Sequence, residues 1–185
     1  MAHEIQYTSS KTKGIEKASG SDNRLSVSSR QDSRSYYNSR DESLAFSLVW
    51  DDATSEAGDF ILYWKNTDTT GKQLIIDSVG LNSANTSSFK LHTVVGTAVG
   101  VQVEPVCLNR ASPKTAQAVT LEAAGTAISG IASLGVVDHT SCIAGGHDEF
   151  RLDDRFRIGQ DQAIAIEYEQ GTTGRTWGVI FGYYE

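Results

Sequence analysis

The stretch that decides the fold is Gln162-Ala-Ile-Ala-Ile-Glu-Tyr-Glu-Gln-Gly-Thr-Thr-Gly-Arg-Thr-Trp-Gly-Val-Ile-Phe-Gly-Tyr-Tyr-Glu185. It reads as two strands and a turn. Ile164, Ile166 and Tyr168 fall on one face, with Ala165, Glu167 and Glu169 on the other. Past the turn, Trp177, Val179, Phe181 and Tyr183 share a face. A period of two is what a strand buried on one side requires. Gly171-Thr-Thr-Gly174 supplies the glycines of a hairpin loop. The second arm is rich in aromatic and β-branched residues, so we expect it to be a central strand of a sheet.

Working outward, segments 43–50, 60–65, 73–81, 89–95 and 117–122 carry strand patterns bounded by polar or glycine-rich breaks. Segment 101–108 reads as a strand at an edge or bent, because Pro105 cannot donate a ladder hydrogen bond. Segment 125–135 is small and apolar, with too many glycines for a stable helix. Residues 139–149 read as a glycine-rich loop, and 150–158 as a strand followed by a turn. Short strands at this spacing predict an all-β fold. Our first choice is a single antiparallel β-sandwich, jelly-roll-like, over residues 41–185, with an immunoglobulin-like sandwich second.

Residues 1–40 are a different kind of sequence. Ten of them are Ser, and they hold no sustained period of two or 3.6. They carry seven basic against four acidic side chains, while the remainder carries nine against nineteen, giving the net charge of −7. Such a segment cannot bury enough apolar surface to offset its own ordering entropy. It reads as an extended polar N-terminal arm, either a plain tail or one that orders on a partner. For the second reading the candidate contacts are Arg30, Arg34, Tyr36, Tyr37 and Arg40, with the arginines pairing to acidic groups and the tyrosines as apolar anchors.

The acidic body should repel nucleic acid. No window approaches the roughly 18 apolar residues of a membrane span. The start, Met1-Ala-His-Glu-Ile-Gln-Tyr7, has neither a basic nor an apolar run, so we expect no secretory signal and a cytosolic origin. That origin favours free, buried thiols at Cys107 and Cys142.

Chemistry-bearing residues are sparse. His139, Cys142, His147 and Asp148 fall close together and include zinc-type donors, but their spacing fits no zinc pattern. We expect a polar loop there with one buried cysteine, and no metal. The acidic pairs Asp51-Asp52, Asp148-Glu149 and Asp153-Asp154 read as solvated charge, since strand neighbours face opposite ways. No Gly-x-Ser-x-Gly elbow and no phosphate-binding Gly-x-x-x-x-Gly-Lys loop is present. Trp50, Trp64 and Trp177 could stack on sugars, but each lies in a strand pattern and reads first as core.

A family resemblance adds to this. Phe60-Ile-Leu-Tyr-Trp-Lys-Asn-Thr-Asp68 followed by Leu74-Ile-Ile76 resembles the opening strands of small β-sandwich proteins encoded in tailed-phage structural gene clusters. Val94-Val-Gly-Thr-Ala98 with Val103-Glu-Pro-Val-Cys-Leu-Asn-Arg110 is similar to their next strands, and Gln162–Glu169 with Gly171–Gly174 to their closing hairpin. The resemblance covers most of residues 43–185 and none of 1–40. It implies a non-enzymatic virion structural protein, a capsid decoration or cement protein made in the host cytoplasm and carried on the capsid surface. It implies no catalytic residues. The partners we expect are the major capsid protein and further copies of the chain itself in a homotrimer, with no nucleic acid, membrane or cofactor. The alternative is a carbohydrate-binding or host-recognition module of a phage particle, and a hydrolase is a more distant rival.

Overall fold

The computed structural model describes residues 5–8, 15–18 and 38–185. The chain divides into two units, Met1–Asp32 and Ser33–Glu185. In the first, β1 (Ile5–Thr8) pairs antiparallel with β2 (Ile15–Ala18), from Ile5 opposite Ala18 to Thr8 opposite Ile15. This pairing was not anticipated, because four-residue segments are too short to display a period.

The second unit opens with a π-helical turn, Asn38–Glu42, whose Asn38 carbonyl accepts from Leu44 N–H at 2.8 Å. Eleven strands follow. They are β3 (Ala45–Ser55), β4 (Asp59–Asn66), β5 (Leu74–Ser83), β6 (Ser87–Val99), β7 (Val101–Gln102), β8 (Val106–Cys107), β9 (Ala118–Glu122), β10 (Ser129–Cys142), β11 (His147–Ile158), β12 (Ala163–Gly171) and β13 (Gly174–Tyr184). They form a six-stranded sheet, β10-β6-β12-β4-β9-β7, and a five-stranded sheet, β11-β5-β13-β3-β8, antiparallel throughout. The all-β sandwich expected from the sequence is what forms.

The topology is a nest of pairs. β3 pairs with β13, β4 with β12, β5 with β11 and β6 with β10. This is a four-deep hairpin rolled up, and the contacts β5–β13 and β6–β12 close the roll. Two sheets wound in this way make a jelly roll. Within each half of the nest, consecutive long strands alternate between the sheets.

That alternation corrects the expected closing hairpin. β12 and β13 are joined by a short turn but lie in different sheets, so they do not pair with each other. The turn is held from outside. Asn85 donates through Nδ2 to the Thr172 and Thr173 carbonyls, each at 3.2 Å, and Tyr168 OH donates to the Thr172 carbonyl at 2.8 Å. β13 is a central strand, as expected, between β5 and β3.

The core lies between the sheets. The five-stranded sheet contributes Phe46, Leu48, Trp50, Ile76, Val79, Leu81 and Ile180; the six-stranded sheet answers with Leu62, Trp64, Phe89, Leu91, Ile164, Ile166 and Tyr168. On β13 the inward residues are Gly178, Ile180 and Tyr184, not the Trp177–Val179–Phe181 row. Gly178 makes this possible. A Cβ at that position would fall within 3.0 Å of both the Trp50 ring and the Gly80 carbonyl oxygen. The indole of Trp50 occupies the space a side chain would need.

Two further readings are corrected. The residues taken as a loop at 139–149 are mostly strand: β10 runs through Cys142 and β11 begins at His147. The acidic pair Asp51-Asp52, read as solvated charge, lies in β3, where the two side chains part. Asp52 is buried, accepting from Ser55 Oγ at 2.5 Å and from Gly125 N–H at 2.6 Å, while Ser55 also bonds Thr176 at 2.7 Å. One carboxylate thus ties β3 to the segment that follows β9.

Replacing Gly178 by Ala should destabilise the domain by about 1–3 kcal/mol through overpacking against Trp50. Equilibrium unfolding in urea, followed by tryptophan fluorescence, measures it; an unchanged midpoint would mean that Trp50 has room to move.

Candidate functional site

The expected arm contacts Arg30, Arg34, Tyr36 and Tyr37 lie outside the described residues. Arg40 falls in the turn Asn38–Glu42, and its side chain is outside the description as well.

The four donor-type residues near residue 140 do not converge. His139 Nε2 bonds Glu169 at 2.8 Å on the outer face of the six-stranded sheet. Cys142 is buried, with its thiol directed at the Leu81 carbonyl at 3.7 Å. The His147 ring lies over Gly80 and bonds Asn82 Oδ1 at 3.3 Å. Asp148 accepts from the Thr140 hydroxyl. Among the described residues no group of three such side chains is placed to hold a metal ion. Cys107 and Cys142 are both free and buried, and burial pushes the Cys142 thiol up to about 11.

Two outer surfaces carry the remaining chemistry. The first is the outside of the five-stranded sheet. Along β13, Trp177, Val179 and Phe181 stand half-buried in a row. The register sets Val179 between Val49 and Gly80, Trp177 between Asp51 and Asn82, and Phe181 between Ser47 and Ser78. Val49 is 63% exposed. The Arg175 guanidinium lies 5.3 Å from the Trp177 ring centre and donates through Nε to Asp51 at 2.8 Å. That hydrogen bond holds the Asp51 carboxyl below its usual range. Trp50 and Trp64 are core, as expected, but Trp177 belongs to this surface. An aromatic and aliphatic row on an outer sheet face, flanked by Asp51, Asn82, His147 and Arg175, offers flat apolar contact with polar groups at one end.

The second is a polar strip across β10, β6 and β12. His92, itself buried, bonds Ser133 Oγ at 2.8 Å through Nδ1 and Glu167 at 2.7 Å through Nε2. Next to it, Glu169 accepts from Lys90, from Ser88 Oγ at 3.0 Å and from His139. A Ser–His–Glu relay can move a proton, but Ser133 stands on an exposed edge strand. The strip acts as a cross-strand ladder joining three strands.

The sequence reading missed both surfaces. The Trp177–Val179–Phe181 row was seen and assigned to the core. The strip needed the pairing of β10 with β6, which the loop reading of 139–149 concealed.

Compared with family models, with curated proteins and with solved structures, the chain has no match in any of the three. The fold and its surfaces define the class, an all-β jelly-roll sandwich.

Lys90 first, then Ser88 and His139, bring the Glu169 carboxyl from its ordinary value of 4.5 down to about 2. A carboxyl lowered by folding stabilises the fold above its unfolded value and loses that contribution as pH falls through the folded value. Wild type and Glu169→Gln should therefore differ most in urea midpoint above pH 4.5, and converge by about pH 2. A pH-independent difference would mean the carboxylate charge is not what matters. Separately, both thiols should resist a maleimide reagent in the native protein and react after unfolding, as mass spectrometry would show.

Proposed function

We propose that the chain is a non-enzymatic structural component of a virus particle, a capsid decoration or cement protein that binds between major capsid subunits as a homotrimer. The observation that carries this reading is the outer face of the five-stranded sheet. A sandwich face turned to water normally alternates to polar residues. Here the central strand presents Trp177, Val179 and Phe181, with Val49 63% exposed alongside. Such a face suits protein contact, with aromatic anchors at its centre and polar residues around them. The double-sheet roll suits a capsid role, since jelly rolls recur in viral shells, although a fold by itself assigns no function. The resemblance to tailed-phage sandwich proteins points the same way. The basic, serine-rich arm would add contact area beyond the body, and many copies on one particle would add avidity.

The test is co-sedimentation with undecorated heads of the virus that encodes the chain. Val49→Glu with Phe181→Ser should cut bound protein at least tenfold while leaving the melting temperature within a few degrees. Removing residues 1–32, or replacing Arg34, Tyr36 and Tyr37 by Ala, should also weaken coating. Full coating by all of these variants would sink the reading.

A second reading is favoured by one observation, the grouping of Asp51, Asn82, His147 and Arg175 around the Trp177 ring. A ring for stacking with hydrogen-bonding groups beside it fits a carbohydrate, so the face would then belong to a host-recognition module. Specific glycan binding on an array, abolished by Trp177→Ala and kept by Phe181→Ser, would decide for it.

A further inference from the structure

Resting on the reading of the outer face of the five-stranded sheet as a contact surface, we infer that Ser33-Arg-Ser-Tyr-Tyr37 of the same chain runs along that face and seats a tyrosine against Phe181. The surface that meets a partner is then composite, part sheet and part arm.

The outer side of this sheet is covered at one end and open at the other. Gly178, Ile180 and Tyr184 turn inward, so the outward row on β13 is Trp177, Val179, Phe181 and Tyr183. Tyr183 stands between Ala45 on β3 and Ile75 on β5. All three are fully buried, and they form an apolar cluster of their own, apart from the core between the sheets. A sheet face turned to water does not bury a tyrosine completely. The turn Asn38–Glu42 lies against β3 and β13 here, with Asn38 itself buried. One rung further along, Ser47, Phe181 and Ser78 are half-buried. At the next rung Val49 is 63% exposed. Burial thus falls away with distance from the turn.

The path of the chain selects the occupant. Lys114 Nζ donates to the Glu42 carbonyl at 2.6 Å and Asn109 Nδ2 to Ser43 Oγ at 2.9 Å, which pins the entry to the body. The compact unit that holds the sandwich begins at Ser33, five residues before the turn. Five extended residues span about 17 Å, and the row from Tyr183 to Trp177 about 20 Å. The segment therefore reaches from the covered end past Val179.

Its chemistry matches the face. A tyrosine covers apolar surface with its ring and keeps its hydroxyl at the rim. Asp51 stands opposite Trp177, and Glu149 is paired with Gly80 beside Val179, so the row has carboxylates near it for Arg34. The first forty residues are net basic and the remainder net acidic. In an extended segment successive side chains alternate, so one tyrosine meets the sheet and its neighbour points outward into the partner-facing surface.

The experiment pairs cysteines in the full-length chain. Tyr36→Cys or Tyr37→Cys is combined with Ser47→Cys or Ser78→Cys, the positions that flank Phe181. The native Cys107 and Cys142 are buried and do not compete. Val119→Cys on the six-stranded sheet replaces the serine position as a control. After mild oxidation of a dilute sample, we expect one tyrosine position to give a disulfide within one chain in most molecules, and the control to give little. As a second readout, Ser47→Cys alone should react with a maleimide several-fold faster once Tyr36→Ser/Tyr37→Ser is added. A link between chains in place of one within a chain would put the arm on a second copy and overturn the inference. No link above the control, or an unmoved maleimide rate, overturns it too. Linked arms on a protein that does not coat heads would sink the decoration reading and leave the seat standing.

Discussion

The seating of β13 against Trp50 is the constraint on which the rest of the body depends. β13 enters between β3 and β5, and it can do so only because Gly178 leaves the Trp50 indole its space beside the Gly80 carbonyl. With β13 in place the inner residues of the five-stranded sheet form one surface, and the Trp177–Val179–Phe181 row is turned outward. A side chain at Gly178 would push the indole toward the opposite sheet. The core and the outer face are thus set by the same small contact.

Much of the fold was legible, and the failures have physical causes. Alternation located the strands of both halves and the central place of the last one. It could not say which face of β13 was buried. The outer row is more hydrophobic by composition than Gly178, Ile180 and Gly182, and hydrophobicity was taken to mean burial. Packing around Trp50 overrode that guide, and no local pattern reports a partner about 130 residues away in sequence. Gly171-Thr-Thr-Gly174 was read as a hairpin for a similar reason. The same turn chemistry serves a chain that crosses between sheets, and the choice is made by Asn85, far off in sequence, holding the turn from outside. β10 was missed because it is an edge strand exposed on both faces over much of its length, and it shows no period. The signal available was the uncharged composition of 94–103 and 123–137, which alternation does not weigh.

The two surfaces differ in how they are built. The outer face of the five-stranded sheet is broad, rigid and backed by the main core, with an ion pair at one end that positions an arginine over an indole. The ribbon where the end of β6 pairs with the start of β10 is narrow and held only at its root. The polar strip of His92, His139, Glu167 and Glu169 braces β10 and β12 against β6 and so keeps the ribbon root at a fixed angle to the body.

The nested pairing has a consequence for the ends of the body. Because β3 and β13 are the outermost pair, the first strand of the roll and the last lie side by side, with Tyr184 N–H donating to the Leu44 carbonyl at 3.0 Å. The start and finish of the sandwich are therefore neighbours in space, and the midpoint of the chain, around the uncharged ribbon, is the innermost turn of the nest. A polypeptide attached after Glu185 would emerge beside the segment that leads into the body from the N-terminal side and compete with it for room. Joining the two ends by a short linker and reopening the chain in the loop at 109–116 would instead give a permuted sandwich with the same sheets, whose new termini stay close to the joined ends, since Asn109 Nδ2 donates to Ser43 Oγ at 2.9 Å and Lys114 Nζ to the Glu42 carbonyl at 2.6 Å.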